Sequence, residues 1–197
     1  MSTLQTPRIV LGSTSRYRAE LLRRLLPQFG QSAPGTDESP LPDEPPAVRA
    51  LRLAVAKAEA VAREHPGALV IGSDQVAELD GRILDKPGNA ERACAQLAAS
   101  SGREVHFHTA LCLFDTRDGR RHTHVDHTHV RFRELNAAEI ARYVEREQPL
   151  DCAGSFKCEG LGISLFEAID NHDPSALIGL PLIALARLLR EAGVELP

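Results

Sequence analysis

The chain has 197 residues, 43% of them hydrophobic, and a formal net charge of −4. That length and apolar content suit one compact domain spanning residues 1–197 and exclude a disordered chain. The acidic balance weighs against broad binding to nucleic-acid backbones, which needs a basic footprint, but leaves room for a small basic pocket around one phosphorylated ligand.

Met1 to Pro7 is polar and does not read as a signal peptide. Arg8 to Gly12 reads as a short buried strand, and Ser15 suits the cap of a helix carrying Leu21, Leu22, Leu25 and Leu26. Gln31 to Pro46, rich in proline and acids, reads as a loop. Pro45 and Pro46 then open a helix to about Glu64. Leu69 to Ser73 is a second apolar strand, followed by a hairpin with Asp80-Gly81 at its turn. Asn89 suits the cap of a helix ending near Ser100. Glu104–Phe114 and Arg120–Arg133 alternate around Asp118-Gly119 as a long hairpin. Asn136 with Glu139 resembles a capping box opening a helix to about Glu147. Gly160 to Ile169 reads as strand and turn, and Pro181 opens a last helix with Leu182, Leu185 and Leu189 on one face and Gly193 just past its end. This alternation of strands and helices predicts an α/β fold. No stretch reaches membrane-spanning length, so a cytoplasmic protein without membrane partners is expected, its four cysteines (Cys94, Cys112, Cys152, Cys158) reduced thiols.

Positive charge is carried by 20 arginines and only three lysines, Lys57, Lys86 and Lys157. A lysine kept among arginines suggests a position that needs a compact point charge; chance retention explains any single one equally well.

Five segments can carry chemistry. Gly12-Ser13-Thr14-Ser15-Arg16-Tyr17-Arg18 joins a strand end to a helix start, where free N–H groups, Ser13 and Ser15 hydroxyls and Arg18 favour an anion; it also reads as a plain capped turn. It is not a P-loop, because the GxxxxGK[ST] spacing is absent. Asp37-Glu38 offers oxygen ligands to Mg²⁺, or is a solvated acidic loop. Gly72-Ser73-Asp74-Gln75 closes the second apolar strand, where a carboxylate can bind metal or take a proton from water, or merely make a turn. Lys57, Lys86 and Arg18 together would neutralise a triphosphate; each lysine is equally a surface residue covering apolar area. In Ala153–Gly162 the glycines at 154, 160 and 162 suit close backbone approach to a ligand, or a tight turn, and Lys157 is a candidate for base-side or phosphate contact. A histidine-rich hairpin stands apart: His122 and His124 share a strand face and offer a metal pair, His127 and His129 follow, and His106 and His108 lie on the partner strand. The plainer reading is a wet face that tolerates imidazole.

Ser13-Thr14-Ser15-Arg16-Tyr17-Arg18, Asp37-Glu38, Leu53-Ala54 with Lys57-Ala58, Gly72-Ser73-Asp74-Gln75, Lys86-Pro87 and Gly179-Leu180-Pro181-Leu182, taken in order, resemble the Maf-like nucleotide pyrophosphatases over nearly the whole chain. The resemblance implies a mixed twisted sheet flanked by helices, two lobes around a cleft, similar to inosine triphosphate pyrophosphatases. It implies hydrolysis of a nucleoside triphosphate to monophosphate and pyrophosphate with a divalent metal, Mg²⁺ or Mn²⁺, often in a homodimer. Ser73-Asp74-Gln75 and Ala153–Gly160 look like the branch that hydrolyses 7-methyl-GTP, whereas the UTP/dTTP branch carries a threonine after the aspartate. By resemblance Asp74 is the proton acceptor, and Tyr17, Gln75 and Glu159 tune base choice. Ser13, Arg18, Lys57 and Lys86 hold phosphates, and Glu38 holds metal, with Asp74 either a second metal ligand or the free base, since one carboxylate does not readily serve as both. Tyr17 stands where that branch often has tryptophan. A cationic methylated guanine would stack on this aromatic face, and Glu159 would accept from its N1–H and amine edge. The rival readings are a UTP, dTTP or other modified-nucleotide pyrophosphatase, and a non-catalytic nucleotide-binding regulator of cell division.

Overall fold

The computed structural model describes residues 7–197, so the reading of Met1 to Pro7 lies outside the described residues except at Pro7. One mixed sheet of seven strands organises the described residues. β1 (Arg8–Gly12) lies between β2 (Gly30–Ser32) and β3 (Ala68–Leu79), parallel to both. β3 pairs antiparallel with β5 (Glu104–Asp115), β5 with β6 (Arg120–Phe132) and β6 with β7 (Phe166–Asp170). β4 (Arg82–Ile83) folds back on β3 across the Asp80-Gly81 turn. This is the expected α/β architecture.

Five α-helices among the described residues cover the sheet: α1 (Arg16–Arg23), α2 (Pro46–Ala62), α3 (Ala90–Ser100), α4 (Ala137–Glu147) and α5 (Leu182–Glu191). The capping signals read from the sequence operate. Ser15 accepts from the Arg18 N–H, Asn89 from the Arg92 N–H, and Asn136 and Glu139 form a reciprocal box. Each such cap contributes about 1 kcal/mol.

Two sequence expectations change. β2 lies partly in the stretch read as loop from Gln31. Gly-Gln-Ser has no apolar alternation, and it becomes a strand because β1 offers it backbone partners. β3 does not end at Ser73 but runs on to Leu79, because β5 pairs with it without a break from Leu69 to Glu78. Asp74 therefore sits mid-strand. The carboxyl end that opens a ligand crevice belongs to β1: its last register pair with β3 is Leu11 with Ile71, and past it β3 has lost that neighbour.

Three apolar clusters flank the sheet. One joins α1 and α5 to β1 and β3 through Leu11, Leu22, Ile71 and Leu185. One packs the alanines of α2 on Val10, Val70 and Ala110. The third, around Phe107, Phe132, Phe156 and Leu97, unites α3 and α4 with the far ends of β3, β5 and β6. Between this third cluster and the first two lies a cleft.

Candidate active site

α2 approaches β3 more closely than ordinary side chains allow. A Cβ on Gly72 would meet the Ala54 carbonyl oxygen and lie 2.7 Å from the Ala58 nitrogen, and a Cβ on Gly12 would lie 3.2 Å from the Lys57 carbonyl. Only glycines on the strands and small residues (Ala50, Ala54, Ala58) on the helix permit this distance. Its consequence is that Lys57, one residue before Ala58, faces Asp74, two residues after Gly72.

The Lys57 ammonium donates to Asp74 Oδ1 at 2.6 Å and lies 2.8 Å from Glu38 Oε1. The Lys57 and Asp74 side chains are 7% and 10% exposed and Glu38 is 54% exposed, so a buried pair is closed by an acid that can still reach water. Partial burial works to raise the Glu38 carboxyl, but Lys57, with Lys86 and Arg18, outweighs it and holds the group below its ordinary value. Asp37 turns to its own loop, accepting from the Ser39 N–H at 2.9 Å. Arg52 braces the loop through Glu44 and the Ser39 carbonyl.

Arg18 completes the cationic side. Its Nε donates to the Gly179 carbonyl at 2.9 Å and its Nη1 to Ser13 Oγ at 3.4 Å. Burial lowers its pKa, opposed by Asp74 and Glu38. Ser73 Oγ donates to the same Gly179 carbonyl at 2.9 Å, so one oxygen of the Gly179-Leu180 segment ties α1 to β3. Gln31 of β2 donates to the Ser13 carbonyl at 2.7 Å, bracing the turn after β1.

The cleft has two connected parts. An inner part of about 330 Å³ is lined by Val76, Ala77, Leu84, Phe107, Phe156 and Leu177 together with the charged Arg18, Glu38, Lys57, Asp74 and Lys86, with Glu159 at its edge. A more open polar mouth is lined by Ser13, Ser15, Arg18, Lys57 and Lys86. Tyr17 borders both, and the Arg16 guanidinium lies 4.8 Å from its ring centre and donates to its hydroxyl at 2.7 Å. One ring face is thus already occupied by a cation. Gln75 borders the inner part; its amide donates to Thr109 Oγ1 and to the Ala176 and Leu177 carbonyls at 3.0–3.1 Å. Its nitrogen is therefore committed to the cleft wall.

Lys157 is placed differently from Lys57 and Lys86. Although it borders the cleft, its ammonium donates to the Glu147 and Gln148 carbonyls at 2.8 and 3.3 Å, at the C-terminal end of α4. Sequence reading missed Arg49, which shares one face of α2 with Leu53 and Lys57, lines the cleft and has a buried, unpartnered Nε. The spacing 49, 53, 57 was the available signal. Asp151, also missed, borders both parts of the cleft. Its loop carries no pattern that marks it.

The oxygen-donor chemistry of Glu38 and Asp74 suits a hard divalent cation, and the Lys57 ammonium already bridges the two carboxylates, so positive charge fits between them.

The model of the family described as Maf-like protein matches residues 8–192. The chain is 59% identical over 192 residues to a protein of Xanthomonas oryzae pv. oryzae named 7-methyl-GTP pyrophosphatase, covering 97% of this chain and 100% of that one. It is 57% identical over 193 residues to a Burkholderia pseudomallei protein of the same name, covering 96% and 90%. Among solved structures, the Staphylococcus aureus Ham1 protein shares the fold with a TM-score of 0.51 at 16% identity, over 93% of this chain and 99% of that one.

Proposed function

The chain belongs to the Maf-like protein family, and from that premise we propose that it hydrolyses 7-methyl-GTP to 7-methyl-GMP and pyrophosphate. The observation that carries this reading is the buried Lys57–Asp74 pair in a cleft that joins a cationic mouth to an inner part where Phe107, Phe156 and Leu177 stand beside charged residues. The names of relatives close to 60% identical supply the base.

In this reading the triphosphate lies in the mouth, where Ser13, Arg18, Lys57 and Lys86 take its oxygens. The base enters the inner part between Tyr17 and the Phe107–Phe156 wall. Gln75 offers its amide oxygen there, and Glu159 at the rim accepts from the guanine N1–H and amine. Asp74 takes a proton from a water whose oxygen forms a bond to the α-phosphorus, while the bond from that phosphorus to the bridging oxygen breaks. Pyrophosphate leaves with the electron pair, its charge spread over Arg18, Lys57 and Lys86. Mg²⁺ or Mn²⁺, held by Glu38 and Asp74, would supply further neutralisation of the phosphate oxygens. The chain has no helix among its described residues long and apolar enough to cross a membrane. A cytoplasmic homodimer without nucleic-acid partners belongs to the same reading.

The test is pyrophosphate release with Mg²⁺ or Mn²⁺ from 7-methyl-GTP, GTP, UTP and dTTP, with Asp74→Asn alongside. Preference for 7-methyl-GTP and a drop of about a thousandfold in the variant are expected. Preference for UTP or dTTP would move the chain to the other branch. Tight binding with no turnover under either metal would make it a nucleotide-binding regulator.

A further inference from the structure

We propose that Glu104, His106 and His129 form a second metal site, outside the cleft, that takes a zinc-class divalent ion. The β5–β6 register sets Glu104 opposite Arg131, His106 opposite His129 and His108 opposite His127, and β3 places Glu78 beside His106. Strand alternation puts all of these on one face of the sheet. His122 and His124, the pair the sequence suggested, pair with Leu113 and Leu111 and so lie on the opposite face. The hairpin that looked like a wet imidazole surface therefore sorts its histidines into two sets, and the richer set gathers carboxylates.

The donor atoms converge. Glu104 Oε1 is 3.1 Å from His106 Nε2 and 3.3 Å from His129 Nδ1, and the three donors lie within 4.8 Å of one another. Ligands about 2.0–2.1 Å from a tetrahedral zinc stand about 3.3 Å apart, which matches the two spacings from Glu104 to the imidazoles. The two rings stack at 4.4 Å with planes 22° apart, which brings both nitrogens to the same carboxylate oxygen. The other nitrogen of His106, Nδ1, is 3.5 Å from Glu78 Oε1. A carboxylate on the far nitrogen of a ligating imidazole fixes its tautomer and raises its basicity. Arg131 lies 3.8 Å from Glu104 Oε2, the oxygen turned away from the rings. Glu78 and Glu104 together offset that guanidinium.

Next on the same face, His108 Nδ1 is 2.9 Å from His127 Nδ1, and the buried His108 Nε2 lies 3.6 Å from Glu78 Oε1 with no hydrogen bond to it or to any other described residue. The face thus holds more imidazole than its own hydrogen bonding uses. The three ligands are 38–46% exposed, leaving the remaining coordination positions to water. Two imidazoles and one carboxylate select zinc-like ions over Mg²⁺ or Ca²⁺, which want oxygen alone. None of the three lines the cleft, and Glu78 lies four residues beyond Asp74, roughly 13 Å along an extended strand.

The experiment is Zn²⁺ titration calorimetry and thermal melting of the full chain in excess Mg²⁺, which occupies oxygen-donor sites. One equivalent of Zn²⁺ should bind and raise the Tm by roughly 5 °C or more at a hundredfold excess over its Kd. His106→Gln and His129→Gln should each lose that equivalent and the Tm rise, while keeping the melting point of the zinc-free protein. His122→Gln, on the opposite face, should keep both. Binding unchanged in His106→Gln and His129→Gln, or lost equally in His122→Gln, would overturn the proposal. So would the absence of a tight equivalent in the unmodified chain.

Discussion

Lys57 Nζ donates to Asp74 Oδ1 at 2.6 Å across the contact between α2 and β3, with both side chains about nine-tenths buried. The pair has a stability role as well as a place in the proposed chemistry, because removing one partner strands the other's charge. Lys57→Met should destabilise the chain by about 3 kcal/mol; Glu38 can escape into water but Asp74 cannot. The double variant Lys57→Met/Asp74→Asn should recover most of that loss and no activity. Urea denaturation of the four proteins in a double-mutant cycle reads the coupling. Equal and additive losses would show that the two charges do not depend on each other.

The closeness of α2 to β3 rests on Gly72. In Gly72→Ala the new methyl would meet the Ala54 carbonyl and the Ala58 nitrogen, both main-chain atoms that cannot rotate aside. The helix must shift, at a cost of about 1–3 kcal/mol, and Lys57 shifts with it. A fall in both Tm and kcat is expected. A variant with unaltered melting and turnover would mean that the contact is not tight in solution.

Lys157 is bonded to a helix end, unlike Lys57. Its ammonium holds the carbonyls that end α4, where a cation contributes about 0.5–2 kcal/mol. Lys157→Met should lower the Tm and change the KM for 7-methyl-GTP less than about threefold, well under the tenfold that 1.4 kcal/mol represents. A tenfold rise in KM with unchanged melting would instead mean that the side chain swings into the cleft when substrate binds.

Acid sensitivity should trace in part to Asp115. Arg117 donates to its carboxylate at 2.6–3.1 Å and holds it below its ordinary value of 3.8. The folded chain therefore binds this proton less readily than the unfolded chain. The pair stabilises the fold above about pH 4, and that contribution is lost as the pH falls through the folded value. Asp115→Asn should be less stable at pH 7 by roughly 1–2 kcal/mol, since Arg117 remains half exposed. Its Tm should also fall less between pH 5 and pH 2, the two curves converging at the acid end. Parallel curves over that range would assign the acid limb to other carboxylates.

The sequence by itself determined the elements and much of the cleft. Capping residues at Ser15, Asn89 and Asn136 and the apolar stripe of α5 are local signals, and local backbone geometry obeys them. The ordered motifs around Ser13, Glu38, Lys57, Asp74 and Lys86 marked residues that the fold gathers into one cleft. What only the tertiary structure decided concerns partners across space. Gly-Gln-Ser becomes β2 because β1 supplies its hydrogen bonds, and Asp74 is mid-strand because β5 continues beside it. Lys57 and Lys157 look alike in the chain, yet one faces a buried carboxylate and the other a helix end. His106 and His129 lie 23 residues apart, and only the register of one hairpin makes them neighbours while sending His122 and His124 to the other side. Periodicity says which face a residue occupies. Register and interhelical distance say what it meets there, and those are set by the packing of the whole sheet.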